Sequence, residues 1–250
     1  MSKILSNIGF VIRSIAIILH TMLFSCLAIL FSFLGSKKSY FFLSRYWSKG
    51  LLFFAGVNVN LHGEEFLNGL QSRVYVVNHA SYFDIPILLA SLPDDIRIMY
   101  RDNLQKIPFL GWTLKLSPFI GIDRSDARNA MKGIQQAIEA VKVGESVIVF
   151  AEGTRSVSGR IGKFKRGAFM LAARSQKPIV PVALIGAHAI MPKGSQKFSP
   201  GTVHVHILEP LMPIEQECKG VETDMLNEVY SRICSVLPED LQPLKESNNE

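Results

Sequence analysis

A chain of 250 residues with 48% hydrophobic content suits one catalytic domain plus an appendage and excludes a disordered protein. The formal charge of +6 favours an anionic partner, whether nucleic acid, anionic lipid or a phosphorylated substrate, without choosing among them. Cys26, Cys218 and Cys234 form no C-x-x-C pair, which argues against a disulfide framework or zinc module and fits a reducing, cytosol-facing domain.

From Ser14 to Leu34 the chain carries no Asp, Glu, Lys or Arg, and as a helix it is long enough to cross a bilayer core of roughly 30 Å. The run exceeds the roughly 7–15 apolar residues of a signal peptide and lacks an A-x-A-like end. Turn-like Gly35 to Ser39 follows, and then a second apolar and aromatic stretch from Tyr40 to Val57. Arg45, Tyr46, Trp47 and Lys49 give that stretch an interfacial character, with the basic side chains directed at lipid headgroups. Residues 1–57 are therefore expected to form a two-helix membrane anchor, by spanning the bilayer or by lying in one leaflet. Basic residues flank the first run on both sides, with more after it, which favours a cytoplasmic catalytic domain.

Residues 58–242 alternate between strand and helix patterns, predicting an α/β fold with a mixed sheet flanked by helices. Strands are expected at Val57 to Leu61, Arg73 to Val77, Ser146 to Phe150, Ile179 to Gly186 and Thr202 to Leu208. Helices are expected from near Pro86, over Asp126 to Val143 and around Met225 to Leu237. Residues 243–250 read as a disordered tail.

Two polar clusters follow predicted strands, where open α/β sheets tend to bind ligands. In NHASYFD, His79 and Asp84 form H-x4-D, in which a carboxylate can hold one imidazole nitrogen while the other accepts a proton. The spacing alone equally serves a loop histidine beside an aspartate that caps the following helix. In FAEGTRS, Gly153 permits a tight turn, Thr154 brings a hydroxyl and Arg155 a planar fork for phosphate, although an ordinary polar turn has the same composition. GKFKRG at 162–167 adds a basic loop. His204 and His206 share one strand face, but no third metal ligand is evident and the pair reads as a polar surface. Ser81 lacks the G-x-S-x-G elbow of a hydrolase nucleophile.

In combination these segments resemble the four motif blocks of the glycerophospholipid acyltransferase family, especially its 1-acylglycerol-3-phosphate acyltransferase branch, over roughly residues 70–190. NHASYFD is similar to its N-H-x-S-x-x-D block, which implies that His79 is the base and Asp84 its orienting partner. FIGIDRSD at 119–126 resembles the second block and implies a phosphate contact for Arg124. FAEGTRS resembles F-P-E-G-T-R-S, with Ala151 in place of proline, and implies acceptor-site roles for Glu152, Gly153, Thr154 and Arg155. IVPVAL resembles the fourth block, with Pro181 on the pocket wall, and Arg101 stands where relatives often carry lysine.

The resemblance implies acyl transfer from acyl-CoA or acyl-carrier protein to lysophosphatidic acid at a membrane surface, such as a bacterial inner membrane, with no metal, other cofactor or nucleic acid. Another lysolipid acceptor, such as lyso-ornithine lipid, is the nearest alternative. A non-catalytic membrane-binding protein and a Ser81 hydrolase are more distant ones.

Overall fold

The computed structural model describes residues 2–33, 37–123, 127–212 and 220–244. Two helices open the chain, α1 (Ser2–Phe33) and α2 (Lys37–Ala55). There follow β1 (Val57–His62), β2 (Val74–Val77), α3 (Asp84–Ser91), β3 (Ile96–Arg101), α4 (Leu110–Leu116), β4 (Ile120–Ile122), α5 (Ala127–Lys142), β5 (Ser146–Phe150), α6 (Gly167–Ser175), β6 (Ile179–Ile185), α7 (Ala187–Ile190), β7 (Gly201–Ile207) and α8 (Val221–Val236).

The strands form one mixed sheet in the order β1-β7-β6-β2-β5-β3-β4. β7 runs antiparallel to β6, and β1 runs parallel to β7, so these two edge-side strands oppose the direction of the other five. The central strands β2 and β6 are buried along almost their whole length, as their continuous Val, Ile and Leu content requires when both faces are covered. On one face Tyr75, Val77, Val180, Val182, Val203 and Val205 pack with residues of α2 and α3. On the other, Val74, Val76, Val147, Ile179 and Ala183 pack with α5, α6 and α8. The expected α/β architecture is thus present.

Two strands, β3 and β4, go beyond the sequence expectation. β3 (IRIMYR) alternates buried and half-buried residues and carries arginines, so it lacks a continuous apolar run, and β4 has only three residues. A buried ion pair ties the strand starts together. Arg73 meets Asp94 at 2.9 Å, and Asp94 also accepts hydrogen bonds from Tyr75 and Ser146 at 2.8 Å each.

α1 begins well before the predicted start and is, among the described residues, the one helix long and apolar enough to cross a bilayer. Its Ile12, Ile18, Leu19, Leu23 and Leu30 are exposed. α2 packs along it, with the His20 ring against Gly50 and Trp47 Nε1 donating to Thr21 Oγ1 at 3.2 Å. Leu34, the end of the expected apolar run, and Gly35 and Ser36 of the expected turn lie outside the described residues, as do Cys218 and the tail from residue 245; the rest of that turn, residues 37–39, is already helical in α2.

One expectation for α2 is corrected. Arg45 does not extend to lipid headgroups: its Nη2 donates to the carbonyls of Leu92, Pro93 and Asp94 at 3.0, 2.7 and 2.8 Å. Orphan carbonyls beyond a helix C-terminus attract a cation, and the end of α3 lies within reach of the guanidinium. Arg45 therefore fastens α2 to the helix that carries Asp84. Arg45→Met is expected to lower stability by about 1.5–3 kcal/mol, the range for hydrogen bonds made by a charged group, measured by denaturant unfolding of the purified protein.

Candidate active site

β2 ends at Val77, and the next residue replaces the sheet ladder with its side chain. Asn78 accepts from Leu184 N–H at 2.7 Å and donates to Leu184 C=O at 3.1 Å. This double bond to β6 fixes the point at which the chain leaves the sheet. His79 follows, and its peptide is held at both ends by the segment after β5. Its N–H donates to Glu152 Oε1 at 2.7 Å, and its C=O accepts from Ser156 N–H at 2.7 Å. The two sequence clusters are thereby one structural unit.

Asp84 opens α3 but turns its carboxylate back over the loop. Oδ2 accepts from His79 Nδ1 at 2.7 Å and from the N–H groups of Ala80 and Ser81 at 2.8 and 2.9 Å. Asp84 is fully buried, whereas the His79 side chain remains 16% exposed. With Nδ1–H given to the carboxylate, Nε2 carries the lone pair. The His79 ring also stacks on Phe150 at 3.9 Å between centroids, which limits its rotation. Asp84 thus contacts His79 directly while collecting loop N–H groups, and no side-chain hydrogen bond caps α3.

Glu152 is buried, and its second oxygen accepts from Gly162 N–H at 3.0 Å. Burial, reinforced by nearby Asp84 and partly offset by the His79 and Gly162 donors, pushes its carboxyl up to about 7. Gly153 turns at φ +71°, where an L side chain is strained and a Cβ would also press on Lys165. That turn delivers Thr154 and Arg155 to the surface. The Arg155 guanidinium lies 3.6 Å over the Tyr82 ring, and Thr154 Oγ1 accepts from Lys193 Nζ at 3.2 Å. A cation above an aromatic face is held flat, leaving its N–H edge available to an oxyanion.

Arg101 is exposed at the end of β3, next to β5, whose C-terminal end leads into Glu152. Arg124 lies outside the described residues, directly after β4 and the adjoining Asp123. Pro181 does not form a pocket wall. It is buried within β6 opposite Val76 of β2, and its carbonyl accepts from Leu208 N–H at 3.0 Å. Ser81 is also buried. Its hydroxyl donates to Met191 C=O at 3.0 Å and accepts from Phe83 N–H at 3.1 Å, a structural role.

Tyr82, Phe150 and Lys193 were not singled out by sequence reasoning. Tyr82 lies inside the NHASYFD block and Phe150 begins FAEGTRS, so their positions were visible although their ring contacts were not. Lys193 follows α7, more than a hundred residues from His79, and had no local signal.

Beside the dyad, an apolar cavity of about 390 Å³ runs between α1, α2 and α3. Phe24, Tyr40, Leu43 and Trp47 line it from the N-terminal helices, and Tyr82 and Phe83 from the loop between β2 and α3. The arrangement thus brings together a His–Asp pair, a cationic rim and an apolar chamber.

Residues 58–185 match the family model described as Acyltransferase. The chain is 34% identical over 200 residues to the chloroplastic 1-acyl-sn-glycerol-3-phosphate acyltransferase of Arabidopsis thaliana, covering 79% of this chain and 54% of that protein. It is 33% identical over 159 residues to the 1-acyl-sn-glycerol-3-phosphate acyltransferase of Saccharomyces cerevisiae, covering 62% and 52% respectively. The chain thus spans about half the length of these curated relatives. Its fold is similar to the crystal structure of the 1-acyl-sn-glycerophosphate (LPA) acyltransferase PlsC from Thermotoga maritima, with TM-score 0.78, 26% identity and coverage of 92% of this chain and 94% of that one.

The raised Glu152 carboxyl has a testable consequence. The folded state binds this proton more tightly than the unfolded state, so the associated stability is present below about 4.5 and lost as pH rises through about 7. Glu152→Gln is expected to be the less stable protein at low pH, because one amide N–H must face a backbone N–H. Its deficit should narrow as pH rises from about 4.5 to above 7; a constant deficit in thermal unfolding across that window would contradict the assignment.

Proposed function

The chain belongs to the Acyltransferase family, and on that premise we propose that it transfers a fatty acyl group from an acyl thioester to the sn-2 hydroxyl of 1-acylglycerol-3-phosphate, giving phosphatidic acid. The observation that carries this reading is the 2.7 Å contact between His79 Nδ1 and buried Asp84, on the same loop as Tyr82, which meets Arg155 and lines the apolar cavity.

His79 Nε2 takes the acceptor hydroxyl proton as the oxygen attacks the thioester carbonyl. The new C–O bond forms, the C–S bond of the tetrahedral adduct breaks, and the proton passes from the imidazolium to the departing thiolate. Asp84 stabilises the transient imidazolium and keeps the tautomer correct through both proton movements. No side chain becomes acylated, consistent with the internal hydrogen bonds that engage the Ser81 hydroxyl.

Arg155, held on Tyr82, would take the acceptor phosphate, with Lys193 and Thr154 alongside and Arg101 at the end of β3; the motif resemblance adds Arg124 to the same role. Glu152 acts through the backbone of His79 and shapes the site rather than contacting the phosphate. The apolar cavity suits an acyl chain, because each buried methylene contributes about 0.8 kcal/mol. Exposed apolar side chains of α1 would hold the enzyme at the membrane, next to its lipid substrates, with the catalytic domain facing the cytoplasm. Acyl-CoA and acyl-carrier protein both supply the required thioester.

The test is an acyl-transfer assay on purified protein with both donors, against lysophosphatidic acid and other lysolipids including lyso-ornithine lipid. Lysophosphatidic acid is expected to be the preferred acceptor; acylation of another lysolipid in its place would reject the acceptor assignment. His79→Ala should lower kcat by about 10²–10⁴, the range for a general base, and full activity in that variant would reject the base. Arg155→Ala is expected to raise KM for lysophosphatidic acid by about tenfold or more, corresponding to one lost charge-assisted phosphate contact.

A further inference from the structure

The polar face of the β1–β7 edge gathers three histidines that the proposed acyl transfer does not use. β1 and β7 pair in parallel with His62 opposite His206 and Asn60 opposite His204. Side chains at alternate positions share a face, so His204 and His206 project together from β7, and the pairing register brings His62 of β1 to the same side. The other side of both strands is the apolar one, where Val203, Val205 and Ile207 enter the core. The result is three imidazoles at the surface, drawn from positions far apart in the chain.

His62 Nε2 and His204 Nδ1 are 3.2 Å apart, and one ligand nitrogen from each of the three rings lies within 4.8 Å of the others. The His62 ring stacks on that of His206 at 4.5 Å between centroids. Two imidazole nitrogens bound to one ion at about 2.0–2.1 Å in tetrahedral geometry stand roughly 3.4 Å apart, close to the His62–His204 separation. That pair can instead share one proton, but the third ring gains nothing from such a bond, whereas an ion can use all three. His62 is exposed and the other two are half-buried, so the rings can swing inward by rotation about their side-chain bonds. Gly63 helps to seat the first ligand. It turns at φ +82°, and a Cβ there would collide with Ile207 C=O, so the chain passes tightly against the end of β7 directly after His62.

We propose that His62, His204 and His206 form a binding site for a divalent transition-metal ion of the zinc class, with water completing its coordination. Neutral imidazoles without a carboxylate suit Zn²⁺, Ni²⁺ or Cu²⁺ and disfavour Mg²⁺ and Ca²⁺, which require oxygen ligands. The site is separate from the acyl-transfer chemistry: it lies on the sheet face opposite α3, with β6 between its strands and β2. An ion here would clip β1, the edge strand that continues from α2, onto β7.

The experiment uses the full chain, purified with any affinity tag removed and treated with chelator, then titrated with Zn²⁺ by calorimetry and with Co²⁺ by visible absorption. The expected result is one saturable equivalent of Zn²⁺, competition by Co²⁺ with tetrahedral d–d bands, and a rise in Tm that saturates at the same stoichiometry. His62→Ala, His204→Ala and His206→Ala should each weaken binding by about tenfold or more, while their Tm values in chelator stay near that of the wild type. Mg²⁺ should produce neither signal. Absence of saturable Zn²⁺ binding would overturn the site, as would undiminished binding by the triple variant. Wild-type affinity in His62→Ala would overturn the three-ligand arrangement and leave only the strand pair.

Discussion

The peptide of His79 is gripped from two sides, by the Glu152 carboxyl on its N–H and by Ser156 N–H on its carbonyl, and the rest of the site follows from that grip. A loop leaving a sheet has no ladder to define its path, so its backbone groups must find partners elsewhere. Here those partners come from the segment after β5, the strand adjacent to β2. Once the His79 backbone is fixed, the side chain has a defined origin, Asp84 can reach Nδ1 from the first turn of α3, and Phe150 can cover the ring. The same exchange positions the turn that carries Arg155. His79 and the turn that carries Arg155 are therefore two ends of one hydrogen-bonded assembly, and displacement of one would displace the other.

Two carboxyl groups attend His79 in different ways because their surroundings differ. Asp84 gathers two backbone N–H groups and one imidazole on a single oxygen. Glu152 spreads its two acceptors over separate segments, and burial outweighs those donors in setting its protonation. The first arrangement concentrates its donors on the oxygen that meets the imidazole, and the second makes a brace between two backbone segments. A site built this way can separate proton chemistry from backbone support.

The N-terminal helices are joined to the α/β domain by specific contacts as well as by apolar packing. Arg45 caps the carbonyls beyond α3, and residues of α1 and α2 form one wall of the cavity whose other wall includes Tyr82 and Phe83. A segment that reads as an appendage in the sequence therefore contributes to the chamber beside the dyad. At one edge of the sheet, β1 continues from those helices and pairs with β7, where His62 meets His204 and His206.

Sequence alone determined the features encoded by neighbouring residues: the apolar first helix, five of the seven described strands, helices α3, α5 and α8, and the two polar clusters placed after strands. It also identified His79 and Asp84 as a candidate pair, since five residues suffice to bring a helix-start carboxylate over the preceding loop. Tertiary structure decided what depends on strand order and register. Nothing local distinguishes the interfacial arginine expected at position 45 from one that caps a helix 47 residues away. His204 and His206 lacked a third partner until parallel pairing of β1 with β7 brought in His62. Pro181 changed from pocket wall to interior strand because β6 is covered on both sides, and β3 escaped notice because its arginines interrupt the apolar pattern. Covalent proximity limits what a linear pattern can specify; contacts between distant segments arise only when the sheet fixes which strands are neighbours.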